Sequence, residues 1–231
     1  EYKNILKNVS FQVKRGEILG IAGLVGSGRS ELAECIFGAR EIDKGDIYLE
    51  GKKKKFSHPK DAIKNGIGLI PEDRKNFGLI LKHTIKDNST LIQIKKMLSG
   101  VLLNSKKENK HIEESIKDLS IKVSDYNLKV SSLSGGNQQK IVISKWKDMD
   151  LKILIFDEPT KGIDVNAKED IFKVIEDYAA KGVGIIFISS DLGEVERIAD
   201  RVLVLKRGNF INELRGNDIN IEKINYLALN G

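Results

Sequence analysis

One octet constrains this chain more than any other stretch. Gly23-Leu24-Val25-Gly26-Ser27-Gly28-Arg29-Ser30 follows the apolar run Glu17 to Ala22 and opens a helical pattern, Ser30 to Phe37, which Gly38 stops. It matches G-x-x-x-x-G-K-[ST] at every defined position except the lysine, where Arg29 stands. Glycines let a backbone wrap closely around phosphate groups, and the amides at a helix N-terminus face negative charge. The octet therefore implies a site for the phosphates of a nucleoside triphosphate, with Gly23, Gly26, Ser27, Gly28, Arg29, Ser30 and Glu31 as its residues. Ser30 is placed to give its hydroxyl to Mg²⁺. Taken alone, the octet also reads as a glycine-rich turn with no ligand. Arg29 keeps a positive charge but replaces a flexible point charge by a bulkier planar fork. Phosphate binding is expected to survive that change better than the placing of charge in a transition state.

A second signal lies far along the chain. Ile153-Leu154-Ile155-Phe156-Asp157-Glu158-Pro159 is an apolar strand that ends in two acids. Such a strand brings Asp157 to the phosphate-loop side of a sheet, where it can hold Mg²⁺ through water. Glu158 comes next and is the candidate catalytic base that polarises an attacking water.

The rhythm between these motifs gives the fold class. Residues 5 to 13 alternate like a strand, and a hairpin follows with turn signals at Lys44-Gly45 and Glu50-Gly51. Ser57 and Pro59 mark a helix start, and Ile67 to Ile70 is a short strand. From Asn76 to Lys147 the pattern is helical, with no strand expected. The α/β rhythm then resumes: strands at Lys152 to Phe156, Val183 to Ile188, Val202 to Leu205 and Phe210 to Leu214, with helices between and after them. The expectation is an α/β chain: a phosphate-loop NTPase core with a mixed, largely parallel sheet, an N-terminal antiparallel β part and an inserted helical lobe. The core would comprise residues 1–75 and 148–231, and the lobe residues 76–147.

Composition narrows the class. The chain has 231 residues, 40% of them apolar and 31% charged, as ordinary globular chains do. No run is long and apolar enough for a membrane-spanning helix. The net charge is +6, but lysine is spread along the sequence and the cluster Lys52 to Lys55 reads as a solvated strand or turn, so no nucleic-acid partner is expected. The single cysteine, Cys35, reads as a small core residue.

Leu133-Ser134-Gly135-Gly136-Asn137-Gln138-Gln139-Lys140 lies between the phosphate loop and the acidic strand, at the end of the helical lobe. This order of motifs resembles the ATP-binding cassette family of transport ATPases, over essentially the whole chain. The resemblance implies that Leu133, Ser134, Gly135, Gly136 and Gln138 form the signature that closes on a partner cassette's ATP. Glu72 stands where the family has a glutamine that senses Mg²⁺, Asp164 stands in the loop that crosses the dimer interface, and Ser190 stands where a histidine contacts the γ-phosphate. Tyr2 is the candidate for stacking on adenine, with a plain core tyrosine as the equal alternative.

Arg29, Glu72 and Ser190 depart together from the family pattern around the γ-phosphate and its metal. Gly28-Arg29-Ser30, Pro71-Glu72-Asp73-Arg74, Asn137 to Lys140 and Ile188-Ser189-Ser190 resemble the second ATP-binding half of the fused subunits of bacterial monosaccharide importers. The chain, which does not open on Met, is read as one domain of such a longer, two-cassette chain. The resemblance implies ATP and Mg²⁺ as ligands, and the other cassette half, membrane permeases and, indirectly, a sugar-binding protein as partners, at the cytoplasmic face of the membrane. Binding with weak hydrolysis is expected at the chain's own site. The alternatives are a soluble cassette ATPase acting on ribosomes or nucleic acid and a regulatory binder without turnover. Chromosome-maintenance cassettes carry long coiled coils between loop and signature, where about 100 residues stand here.

Overall fold

The computed structural model describes residues 1–231. In chain order its elements begin with β1 (Ile18–Ala22), α1 (Arg29–Ile36), β2 (Ile47–Leu49), β3 (Lys52–Lys54), α2 (Pro59–Lys64) and β4 (Ile67–Ile70). A π-helical turn, Arg74–Gly78, leads to α3 (Ile85–Thr90), β5 (Leu98–Ser99), β6 (Leu102–Leu103), α4 (Ser105–Asp118) and α5 (Gly135–Ser144). Then come β7 (Ile153–Asp157), α6 (Val165–Ala180), β8 (Gly184–Ile188), α7 (Leu192–Ile198), β9 (Arg201–Lys206), β10 (Asn209–Arg215) and α8 (Ile221–Asn230). None of the helices is long and apolar enough to cross a membrane. The chain forms two units: Glu1–Leu69, Leu151–Glu158 and Ile175–Gly231 make the first, and Ile70–Asp150 and Pro159–Val174 the second.

In the first unit the strands order as β10-β9-β1-β8-β7-β4. β1 runs parallel to β8 and β9, and β7 parallel to β8; β10 returns antiparallel to β9. Every residue of β1 and β8 is buried, so these strands read as apolar runs rather than alternations, as strands covered on both faces do. The register pairs Ile21 with Ile188, Ala22 with Val204 and Asp157 with Ile188. The carboxyl ends of β1, β7 and β8 therefore leave the sheet at one edge, where ligands of open α/β sheets bind. The fold class is the expected one.

Two details differ from the sequence expectation. Residues 5–13 form no strand beyond a bridge between Tyr2 and Leu6. A strand needs a ladder partner, and β2 and β3 pair with each other. Residues 9–13 and β2 instead line a cavity of about 750 Å³ against Ile67, Ile153 and Ile186. β2 and β3 turn at Glu50 and Gly51, whose φ angles of 52° and 75° suit a two-residue hairpin turn. Lys52–Lys54 is β3, mostly exposed, which fits the solvated-strand reading. Cys35 is buried, and burial pushes its thiol up to about 11, in keeping with a core role.

The second detail lies in the second unit. The stretch expected to be without strands contains the β5–β6 hairpin, which turns at Gly100 with φ 66°. Two residues per strand are too few for a period-2 pattern to register. Around it, α3 is closed by a capping box between Thr84 and Asp87. Ile85, Ile112, Val130, Ile141 and Ile143 are fully buried, each contributing about 1.5–3 kcal/mol. Lys145 is also buried, its ammonium donating to the Gly78 carbonyl, and burial pulls it down to about 8. Its folded value lies below that of the unfolded chain, so the folded state holds fewer protons between the two. Stability is therefore expected to rise with pH from about 8 towards the ordinary lysine value near 10.5. Urea unfolding at pH 7 and pH 9.5 checks this, and Lys145→Met should flatten the rise.

Candidate nucleotide site

The phosphate loop is built by steric exclusion. A Cβ on Gly23 would stand 2.3 Å from the Leu205 carbonyl oxygen and 2.8 Å from Ser27 Oγ, so no larger residue fits. Gly26 and Gly28 take φ of 80° and 104°, the left-handed region that favours glycine. The turn closes with Ser27 N donating to the Leu24 carbonyl at 3.1 Å, and Gly208 N donates to the Ser27 carbonyl at 3.0 Å. Gly28 is the N-cap of α1, and no side chain caps the helix. The first amides of α1 are thus left for an anion. Ser27 Oγ is buried and has no hydrogen-bond partner. An orphaned hydroxyl, an uncapped helix start and a cradle kept clear of Cβ atoms fit a phosphate group. Ser30 and Glu31 follow, half-buried, in the first turn of α1.

Arg29 makes its contacts with protein acceptors. It is 8% exposed, and its Nη1 donates to the Ser189 carbonyl at 2.8 Å. Its Nη2 pairs with Glu158 Oε1 at 3.1 Å. Ser190 Oγ donates to the other carboxylate oxygen, Glu158 Oε2, at 3.0 Å. Glu158, itself 8% exposed, is thus held from both sides by a guanidinium and a hydroxyl. Its backbone N–H donates to the Ile188 carbonyl at 2.9 Å, with φ at 48°. Asp157 precedes it at the buried end of β7. Ser189 is fixed in turn, its Oγ donating to Glu194 Oε2 at 2.8 Å.

Tyr2, the candidate for stacking on adenine, is buried in this structure. It is 5% exposed, and its hydroxyl accepts from Arg40 Nη1 at 2.9 Å. Lys3 and Arg40 lie 5.6 and 5.5 Å from its ring centroid.

The second unit carries the remaining candidates. Ser134 is the N-cap of α5, and its Oγ accepts from Asn137 Nδ2 at 3.0 Å. Gln138 is buried and donates to the Leu133 carbonyl at 3.1 Å. A Cβ on Gly136 would stand 2.5 Å from Ala167 Cβ, and one on Gly135 would stand 2.8 Å from Arg74 Nη2 and 3.1 Å from the Gly162 carbonyl oxygen. Asp164 accepts from Ala167 N at 3.0 Å. Glu72 accepts from Lys161 Nζ at 2.6 Å, so a lysine offsets its charge. The sequence reasoning gave Lys161 and Arg74 no role. The one available signal was Arg74 itself, within Pro71 to Arg74.

The family model described as ABC transporter matches residues 6–161. The chain belongs to the ABC transporter family. The ribose import ATP-binding protein of Clostridium tetani is 49% identical over 224 residues, 96% of this chain and 44% of that protein. The xylose import ATP-binding protein of Thermoanaerobacter pseudethanolicus is 46% identical over 230 residues, 99% of this chain and 46% of that protein. The cassette thus spans less than half the length of these curated relatives. Among solved structures, a dimeric bacterial ABC transporter cassette superposes with a TM-score of 0.78 at 25% identity, covering 91% of this chain and 90% of its own. A nucleotide-free cassette from an ABC transporter gives 0.78 at 28% identity, covering 100% and 90%.

Proposed function

We propose that this cassette is an ATP-binding domain that couples ATP binding and hydrolysis to sugar import, with a degenerate site of its own and a signature that serves a partner cassette. The sugar-import part is supported by ribose- and xylose-import relatives over nearly the whole chain. The degenerate-site part is carried by one observation: both carboxylate oxygens of Glu158 are engaged by Arg29 and Ser190.

The loop amides from Gly23 to Ser30 and the Ser27 hydroxyl would hold the phosphates of ATP. Ser30 and Asp157 would hold Mg²⁺, a donor set of one hydroxyl and one carboxylate that suits an ion which otherwise keeps water and phosphate oxygens. When bound, Mg²⁺ supplies neutralisation of phosphate charge. A general base has to reach the water it polarises. Glu158 is oriented instead by a guanidinium and a hydroxyl. Arg29, with donors on Glu158 and Ser189, is directed to protein acceptors rather than to phosphate. The outcome is a domain that holds nucleotide and turns it over slowly. Leu133–Gly136, with Gln138 and Asp164, would face the nucleotide of the partner half. Glu72, paired with Lys161, belongs to the region that docks on the permease. The cassette would work at the cytoplasmic face of the membrane, with the sugar-binding protein reached only through the permease.

The test is direct. Calorimetric titration with Mg-ATP is expected to show binding, and steady-state hydrolysis by the same chain should run about 10²–10³ below a cassette with a lysine loop and a free glutamate. Turnover equal to that of such a cassette, abolished by Glu158→Gln, would overturn the degenerate-site reading.

A further inference from the structure

We infer that Arg74 acts in trans, adding its positive charge to the start of α5, where the terminal phosphate of a partner cassette's nucleotide is held. This rests on the reading above that Leu133–Gly136 serves a partner's nucleotide. Arg74 opens the π-helical turn, and its Nη1 donates to the Lys161 carbonyl at 3.0 Å. Its Nη2 lies against Gly135, 2.8 Å from where a Cβ would be. Its Nε is buried and has no hydrogen-bond partner.

Asp73 attracts Arg74 at longer range, but none of the acids nearby forms an ion pair with it, and each makes its hydrogen bonds elsewhere. Glu72 pairs with Lys161 Nζ at 2.6 Å. Asp73 caps the π-helical turn, accepting from Lys75 N and Asn76 N at 3.1 Å each and from Asn76 Nδ2 at 2.6 Å. Asp164 accepts from Ala167 N at 3.0 Å. Arg74 is therefore a guanidinium without an ion pair, pressed against the positive end of a helix. A cation there is unfavourable by the helix dipole alone. Burial adds to the penalty and pulls its pKa below the ordinary arginine value. An anion at the α5 start turns both costs into attractions, and a planar fork suits phosphate oxygens. The same contacts account for Gly135, whose position leaves room for Nη2 and for the Gly162 carbonyl.

The test uses this chain assembled with its partner cassette and ATP as the probe. Arg74→Met keeps the packing against Gly135 and removes the charge, whereas Arg74→Lys keeps the charge. Arg74→Met should lower kcat by about 10²-fold with KM within about threefold, and Arg74→Lys should regain about tenfold of that loss. Titration of the variant chain alone with ATP should give the parent affinity, because its own phosphate loop does not use Arg74. Full activity in Arg74→Met alongside lost activity in Ser134→Ala overturns the role of Arg74 and leaves the signature reading intact. Full activity in both variants overturns the two together. Activity retained by Arg74→Met but lost by Arg74→Lys, or weaker ATP binding by the variant chain itself, also overturns the role in trans.

Discussion

Arg29→Ala lowers the unfolding free energy of this chain by an expected 3–5 kcal/mol, about the cost of stranding one partner of a buried ion pair. The substitution leaves Glu158, 8% exposed, with only Ser190 as a side-chain partner. Removing both charges behaves differently. Arg29→Met with Glu158→Leu should recover most of the loss, because apolar side chains of similar volume replace buried ion pairs at little net cost. Ser190→Ala removes a single hydrogen bond and should cost about 1 kcal/mol. Urea unfolding of the four proteins gives these values. A loss below about 1 kcal/mol for Arg29→Ala would mean that the pair behaves as a solvated one.

The second large effect concerns transport. In the assembled transporter, Ser134→Ala or Gly135→Ala should cut sugar uptake by about 10²–10³-fold, the scale of a lost transition-state contact. The charge-free double variant of Arg29 and Glu158 is the fair comparison, because it removes the pair without stranding a charge. It should lose less than about tenfold, since the partner's site, not this one, carries turnover in the proposed division of labour. Uptake measured per assembled complex decides it. Equal losses would end that division.

Much of the fold was legible because it depends on short-range pattern. The apolar run Ile18–Ala22 followed by glycines and the run Ile153–Asp157 both landed in the expected elements. The loop around Gly23 was legible because its glycines have a steric reason that spacing alone exposes. What spacing could not give was the direction of side chains towards distant parts of the chain. Arg29 and Glu158 are 129 residues apart, and Lys161 and Glu72 are 89 apart. The sequence reading of Glu72 left out Lys161 for that reason. Tyr2 was ambiguous at the sequence level because an aromatic near the chain start serves a core or a ring stack equally well, and its hydrogen bond to Arg40, 38 residues on, is not visible in spacing.

Glu158 adopts a φ of 48°, where the Cβ of an L residue crowds a carbonyl oxygen and glycine or asparagine is at ease. Holding a glutamate there costs about 1–2 kcal/mol. The carboxylate persists at that position in the company of a buried guanidinium, which needs a compensating negative charge wherever it goes. In this fold Glu158 serves as the counterion of Arg29, and the charge balance of the core offsets the strain of its backbone.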